Sequence, residues 1–409
     1  MQDGMHRAIV ARPPPVSPVN RDPVVPAEFT YLSQLARSYL SGRTNSPVPS
    51  AGLDWEELVR LILAQNLATS LGPLIVDGPA PESVKDRLES RIRKLYRWNA
   101  LLWFESTRFL LALSEAGIDG ILLKGLALAR TVYSRPEHRT SIDIDVYVPR
   151  SSLDEARQVL GGLGYVMSRT KRHATFYEQH HFHLIFENAN KVVIELHWHL
   201  SKPEDYCRFD LDGFIARSRS IELDGMWVRI PSDEDQVLHA AYQSLCDGYV
   251  DLRRVLDAAL LFRRGWVDPT LLAKLARRQG MASCLWVLLD LQRNTLGQAI
   301  PPELEEAVKP VAVVRRGLER LDLTVRSGAR DAAERTGFKK LVRCLCAPDY
   351  AAAFLELKRY VCVDRGQWLD MGYDPEDPPG RMWRLSLGAR RCFSLVKLIG
   401  YQGLRRIDG

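Results

Sequence analysis

The apolar positions of the chain change their spacing twice. From Tyr31 to Gly117 they recur at helical intervals. In DWEELVRLILAQNLATSLGPLI, Leu58, Leu61, Ile62 and Leu67 fall at helical spacing, and Asp54 stands where an N-cap carboxylate accepts the first free N–H groups. A second long helical segment runs from about Pro81 to Gly117, with Gly117 placed as the glycine that ends it. Ahead of these, ARPPPVSPVNRDPVVP carries too many prolines for a helix or a central strand, so residues 1–30 are expected to be extended or disordered.

After Gly117 the period shortens. GIDGILLKG reads as a short buried strand, LALARTVYS as a helix and SIDIDVYV as a strand. PRSSLDEARQVLGGLGY returns to helical spacing, with Ser152 and Glu155 in capping-box register, Leu153, Ala156, Leu160 and Leu163 toward a sheet, and Gly164 closing it. Tyr165-Val166-Met167 begins another strand. HHFHLIFENANKVVIELHWHL is two alternating runs joined at Asn188-Ala189-Asn190, the pattern of a hairpin. From about Ser232 the helical period resumes, through DEDQVLHAAYQSLCDGYVDLRRVLDAALLF to about Arg359. DMGYDPEDPPG is an acidic, turn-rich linker. RMWRLSLGARRCFSLVKLIGYQGLRR is a basic amphipathic tail, expected either to dock as a final helix or to touch an anionic membrane or a partner. The expected fold class is α+β: a small mixed-sheet core over 118–231, helical regions over 31–117 and 232–362, and linker and tail over 363–409.

Composition narrows this only slightly. The 409 residues suffice for several packed units, and 46% hydrophobic with 26% charged residues is a globular balance. A net charge of +6 favours phosphate-bearing ligands mildly without marking a nucleic-acid binder, and no nucleic-acid partner is expected. The seven cysteines are scattered apart from Cys344 and Cys346, match no zinc spacing, and are odd in number. They read as reduced core thiols of a cytoplasmic protein. No apolar run approaches the roughly 18 residues of a membrane span, and the N-terminal segment lacks the apolar core of a signal peptide.

The chemistry concentrates in HRTSIDIDVYV, His138 to Val148. By the two-residue period, Ile142, Ile144, Val146 and Val148 share one strand face while Asp143, Asp145 and Tyr147 share the other. Successive residues on one face lie about 6.5–7 Å apart, so the two carboxylates can share a cation or flank two. Unpaired they would repel, so they need a positive partner, a metal or water. In VVIELHWHL, Glu195, His197 and His199 alternate with Ile194, Leu196 and Trp198. Beside the aspartate strand, Glu195 would be a third carboxylate at one sheet edge. Three carboxylates with open positions suit Mg²⁺ (or Mn²⁺), which keeps waters and substrate phosphates as its other ligands. Upstream, Leu122-Leu123-Lys124-Gly125 opens a helix directly after a strand. There Gly125 allows close backbone approach to a phosphate, and Lys124 and Arg139 add charge where triphosphate oxygens would lie.

Taken in order, LLKGLALARTVY, HRTSIDIDVYV and VVIELHWHL resemble the nucleotidyltransferase superfamily of the DNA polymerase β type, and more narrowly the bacterial uncharacterised nucleotidyltransferase family. The resemblance runs from about Asp54 to about Phe262. It implies a nucleotidyltransferase core holding catalytic metals on Asp143 and Asp145, with Glu195 as third carboxylate and an aid to deprotonating the acceptor. Gly125 would sit against the nucleotide phosphates, with Lys124, Arg139 and His197 as further nucleotide-side residues. The implied reaction is transfer of a nucleotidyl group, AMP by preference, from an NTP (ATP by preference) to a peptide or small-molecule acceptor, releasing pyrophosphate. The alternatives are a catalytically degenerate binding or regulatory protein on the same fold, and metal-dependent phosphoryl transfer at the same carboxylates. One departure is that the superfamily's glycine–serine pair is Gly125-Leu126 here.

Other residues have plainer readings beside functional ones. Six of nine histidines lie from His173 to His199, with His181 and His183 on one strand face and His197 and His199 on another. They read either as a transition-metal site or as groups paired with acids and backbone, and a zinc site needs a convergence that the hairpin alone does not show. His239, Trp198 and Tyr147 read as core, and Arg253-Arg254 with Asp251 as a solvated face or an ion pair.

Overall fold

The computed structural model describes residues 25–168, 181–249, 251–326, 336–362, 386–387 and 390–391. The proline-rich N-terminus up to residue 24, the acidic linker and most of the basic tail lie outside the described residues, as do His173 and His180.

Four helices precede the sheet: α1 (Ala27–Leu40), α2 (Trp55–Ala64), α3 (Ala68–Val76) and α4 (Glu82–Glu115). The Asp54 carboxylate accepts from the backbone N–H groups of Glu56 and Glu57, as its spacing predicts. The helical spacing through Leu67 hides a break between α2 and α3, where Asn66 turns to φ +55°. α4 ends with Gly117 at φ +72°, and the Ile118 N–H reaches back 2.8 Å to the Leu113 carbonyl.

Seven strands form one mixed sheet: β1 (Ile121–Leu122), β2 (Ile144–Tyr147), β3 (Val166–Met167), β4 (His183–Glu187), β5 (Val193–His197), β6 (Arg219–Leu223) and β7 (Met226–Ile230), in the order β3-β4-β5-β2-β1-β7-β6. β2 runs parallel to β5 and β1 parallel to β7, while the other neighbours are antiparallel. Helix α5 (Lys124–Thr131) joins β1 to β2, and α6 (Leu153–Gly162) leads from β2 toward β3. The β6–β7 hairpin turns on Asp224-Gly225, both at positive φ, the demand of a tight hairpin turn.

One sheet face buries Ile144, Val146, Ile194 and Leu196 against α6 and the second half of α4. Leu153, Ala156 and Leu160 of α6 fill this core. Ile142 does not join it: the strand begins only at Ile144, and Ile142 lies in the preceding bend, 66% exposed. Ser152 makes no capping hydrogen bond either, because the 3₁₀ turn Arg150–Ser152 enters α6 without the extended backbone that a capping box requires. The opposite face, carrying Ile121 and Tyr147, belongs to a larger core that joins Leu32, Leu58 and Leu71 of the first helices to Val237, Leu256 and Leu285 of later ones. The helices before and after the sheet therefore share one interior, crossed also by a bond from Arg37 Nε to the Thr295 carbonyl at 3.0 Å. Among the described residues no helix is long and apolar enough to cross a membrane.

Candidate active site

Asp145 lies on a central strand, not at a sheet edge, because β2 is flanked by β5 on one side and β1 on the other. Its register with β5 sets Asp145 beside Glu195 and Tyr147 beside His197, and the β4–β5 register sets His183 across from His197. Paired residues share a face, so these acids and imidazoles line up on the side of the sheet turned toward the helical interior, at the strand spacing of about 4.8 Å. Asp143 lies in the bend just before β2.

Lys124 opens α5 in a left-handed conformation, φ +50°, uncommon for a residue with a side chain. Its Nζ forms an ion pair with Asp145 and lies 3.7 Å from Glu195 Oε2. His197 Nε2 lies 2.9 Å from Asp145 Oδ1 and 3.3 Å from Glu195 Oε2. On the far side of Glu195, His183 Nε2 lies 3.7 Å from Oε1.

Burial pushes the Asp143 carboxyl up to about 7, with repulsion from Asp145 and Glu195 adding to it. Burial also opposes ionisation of Asp145, but Lys124 and the His197 hydrogen bond outweigh it and the group stays below its usual range. At Glu195 the same balance, burial against His197 and Lys124, ends at about 2. Burial works against the Lys124 charge too, and Asp145 and Glu195 overcome it. His183 is pushed well down, first by burial and then by His197 and His181, which favours a neutral ring with a free lone pair.

The loop leading to Asp143 is held from several helices. Asn99 of α4 donates to the carbonyls of Glu137 and Arg139 and accepts from the Ser141 N–H, while Thr69 of α3 donates to the His138 carbonyl. From the helix Leu252–Arg263, Arg253 donates to the Thr140 carbonyl at 2.8 Å and pairs with Asp251 at 2.9 Å. Arg139 is 5% exposed and grips Asp257 through two N–H···O bonds of 2.8 Å, and Tyr133 donates to the same carboxylate at 2.6 Å. Arg139 thus braces the loop, and its donors are spent on protein atoms. Gly125 abuts the same loop. A Cβ there would overlap Ser141 Oγ and stand 3.1 Å from Ser141 Cβ, so this glycine serves close approach of α5 to the loop.

The structure thus brings Asp143, Asp145, Glu195, His197 and Lys124 together, places Gly125 beside them, and commits Arg139 to a buried ion pair. The sequence reading passed over Asn99, Thr69 and Asp257, placed Arg253 only in a surface ion pair, and did not tie His183 to Glu195. Asp257 had a local signal, an acid among Val255, Leu256, Ala258 and Ala259.

His199 does not share a strand face with His197, because β5 ends at His197; His199 Nδ1 accepts instead from the Ser201 N–H. Tyr147 is buried edge-on to Phe214, His239 is buried edge-on to Phe209, and Trp198 is half-buried beneath the Arg150 guanidinium, 4.6 Å above its ring. Among the described residues Cys207, Cys284 and Cys346 are buried free thiols.

The Asp145 and Glu195 carboxylates are hard oxygen donors of the kind Mg²⁺ or Mn²⁺ takes, and the Lys124 ammonium supplies positive charge between them. A narrow cleft of mainly apolar lining adjoins it, bounded by Lys124, Leu128, Arg139, Gln236, His239 and Arg254.

With the fold and this geometry in place, the class is a nucleotidyltransferase. The chain belongs to the family of uncharacterised nucleotidyltransferases, whose sequence model matches residues 51–307. Members of such families generally use an NTP and a divalent metal. No curated protein matches the chain. A solved structure titled "Solution Structure of Antibiotic-Resistance Factor ANT(2'')-Ia Reveals Substrate-Regulated Conformation Dynamics" is similar over 47% of this chain and 95% of that one, at 14% identity and a TM-score of 0.32. That likeness is too distant to bear on the site.

Proposed function

We propose that the chain transfers a nucleotidyl group, AMP by preference, from an NTP to a peptide or small-molecule acceptor with release of pyrophosphate. The observation that carries the reading is Lys124, at the start of α5, lodged between Asp145 and Glu195, with Asp143 near enough to be repelled by both carboxylates.

In this reading Asp143, Asp145 and Glu195 hold Mg²⁺ or Mn²⁺, which when bound offsets charge on the triphosphate and on the leaving pyrophosphate. Lys124 is the first protein cation beside those phosphates. The acceptor's oxygen or nitrogen bonds to the α-phosphorus, the bond from that phosphorus to the β-phosphate bridging oxygen breaks, and the electron pair leaves with pyrophosphate. Glu195, more exposed than Asp145, helps to draw off the acceptor's proton. His197 orients both carboxylates through Nε2. Arg139, Asn99 and Arg253 keep the Asp143 loop in place and touch no substrate.

The test is calorimetric binding of each NTP to the full chain with Mg²⁺ and with EDTA, alongside the Asp143→Asn/Asp145→Asn double variant. Mg²⁺-dependent binding lost in the variant supports the reading. Absence of binding by the unaltered protein overturns it in favour of a degenerate binding or regulatory relative.

A further inference from the structure

The hairpin β4–β5 adds His183, which nucleotidyl transfer does not use, to Glu195 and His197, which it does. His183 and His197 are a register pair, with ring centroids 4.8 Å apart. Glu195 lies two residues before His197 on the same face. One ligand atom from each of His183, Glu195 and His197 lies within 4.8 Å of the others. Ligand atoms bound tetrahedrally at about 2.0–2.1 Å sit about 3.3 Å apart. His197 Nε2 lies 3.3 Å from Glu195 Oε2 and His183 Nε2 3.7 Å from Oε1, so the imidazoles flank the two oxygens of one carboxylate, and an ion between them would take His197 Nε2 from its 2.9 Å contact with Asp145.

Three further facts set this group apart. Lys124 approaches Glu195 on Oε2, which leaves Oε1 turned toward His183. Packing also holds both rings in place, His183 edge-on to His181 at 4.3 Å and His197 against Phe182 at 5.7 Å. His183 and Glu195 remain partly accessible while His197 is fully covered, so an ion has an entry side and a closed back.

We propose that His183, Glu195 and His197 form a mixed imidazole–carboxylate site for a borderline divalent ion of the Mn²⁺–Co²⁺–Zn²⁺ series. Imidazole nitrogen favours these ions, whereas Mg²⁺ prefers oxygen donors in an octahedral shell. The inference shares Glu195 and His197 with the nucleotidyl-transfer reading and does not need the Asp143/Asp145 pair. The two sites would share the Glu195 carboxylate, with Mg²⁺ confined to the oxygen donors and Co²⁺ or Zn²⁺ drawn to the imidazoles.

The test is titration of the full chain with Co²⁺, read by its visible absorption, together with pulsed electron paramagnetic resonance of the Mn²⁺ form for coupling to ¹⁴N. The expected result is one tightly held Co²⁺ with the intense bands of a four- or five-coordinate ion, and ¹⁴N coupling from imidazole. His183→Asn should weaken that binding by about tenfold or more and change the spectrum. Asp143→Asn should leave it in place while removing Mg²⁺-dependent NTP binding. No bound Co²⁺, or a His183→Asn protein with unchanged affinity and spectrum, overturns the proposal. If His183→Asn does not fold, by circular dichroism, the unaltered protein decides, since Mn²⁺ without ¹⁴N coupling overturns it equally. Because NTP binding and imidazole coupling are read separately, either reading can fail while the other stands.

Discussion

The Arg139–Asp257 pair separates a brace from a phosphate ligand. Its carboxylate partner is 1% exposed and the guanidinium 5%, and two bonds of 2.8 Å join them. Arg139→Met leaves a buried carboxylate facing only the Tyr133 hydroxyl, and breaking such a pair from one side costs about 3–5 kcal/mol. Asp257→Leu strands the guanidinium and should cost a similar amount. The double variant Arg139→Met/Asp257→Leu replaces both charges by apolar groups of similar size, so its loss should fall well below the sum of the singles, with a coupling energy of about 2–3 kcal/mol or more. Urea unfolding followed by tryptophan fluorescence measures all four proteins, since the chain has nine tryptophans. The reasoning is refuted if Arg139→Met lowers stability by less than about 1 kcal/mol while weakening NTP binding severalfold. That outcome would return Arg139 to the triphosphate, where its position in the sequence first placed it.

Other expectations are more local. Gly125→Ala should destabilise by about 1–3 kcal/mol through overlap with Ser141, and Ser141→Gly should relieve part of that loss, seen as non-additivity in the same unfolding assay. Asn99→Leu leaves the Ser141 N–H and two carbonyls without their partner, so it should weaken Mg²⁺-dependent NTP binding as well as lower stability by about 2 kcal/mol, checked by calorimetry and melting. Burial opposes ionisation of Glu356, yet Arg343 and Lys340 hold its carboxyl at about 2, below its ordinary value near 4.5. Its contribution, on the order of 3 kcal/mol, is therefore fully present above about pH 4.5 and lost as the pH falls toward 2. Glu356→Gln should flatten the fall of the melting temperature across that window, and an unchanged slope would remove Glu356 as its source.

Much of the site was legible because its groups break a short-range pattern. Asp143, Asp145 and Glu195 are acids in strands otherwise built of Ile, Val and Leu, and Lys124-Gly125 ends an apolar strand abruptly. What the pattern could not supply is register. That Asp145 lies beside Glu195, and His183 across from His197, depends on pairings between segments some fifty and fifteen residues apart. The buried partner of Arg139 was out of reach for the same reason, since Asp257 comes from a helix 118 positions later. The β6–β7 hairpin had a usable local signal that was passed over, Asp224-Gly225 between two alternating runs, Ile221 and Leu223 before it and Met226, Val228 and Ile230 after it. Ser152 shows the converse: a cap residue at the right spacing fails when the preceding turn imposes a different backbone. The common interior of early and late helices has no local signature, since Leu58 reads the same whether it packs on Leu71 or on a helix two hundred residues away.

The dependence on register gives the two parts of this site unequal tolerance to insertions and deletions. Asp145 and Glu195 sit on adjacent central strands tied along their length, so residues can be gained or lost in the Asn188–Val192 turn without separating them. His183 reaches its place only through that turn, which Asn188 organises by accepting from the Asn190 and Val192 N–H groups. One residue added there would turn the His183 ring to the opposite side of the sheet while the carboxylates stayed where they are. In descendants of this chain the acid pair can thus outlast many changes of loop length, whereas the imidazole pair persists only while one short turn keeps its count.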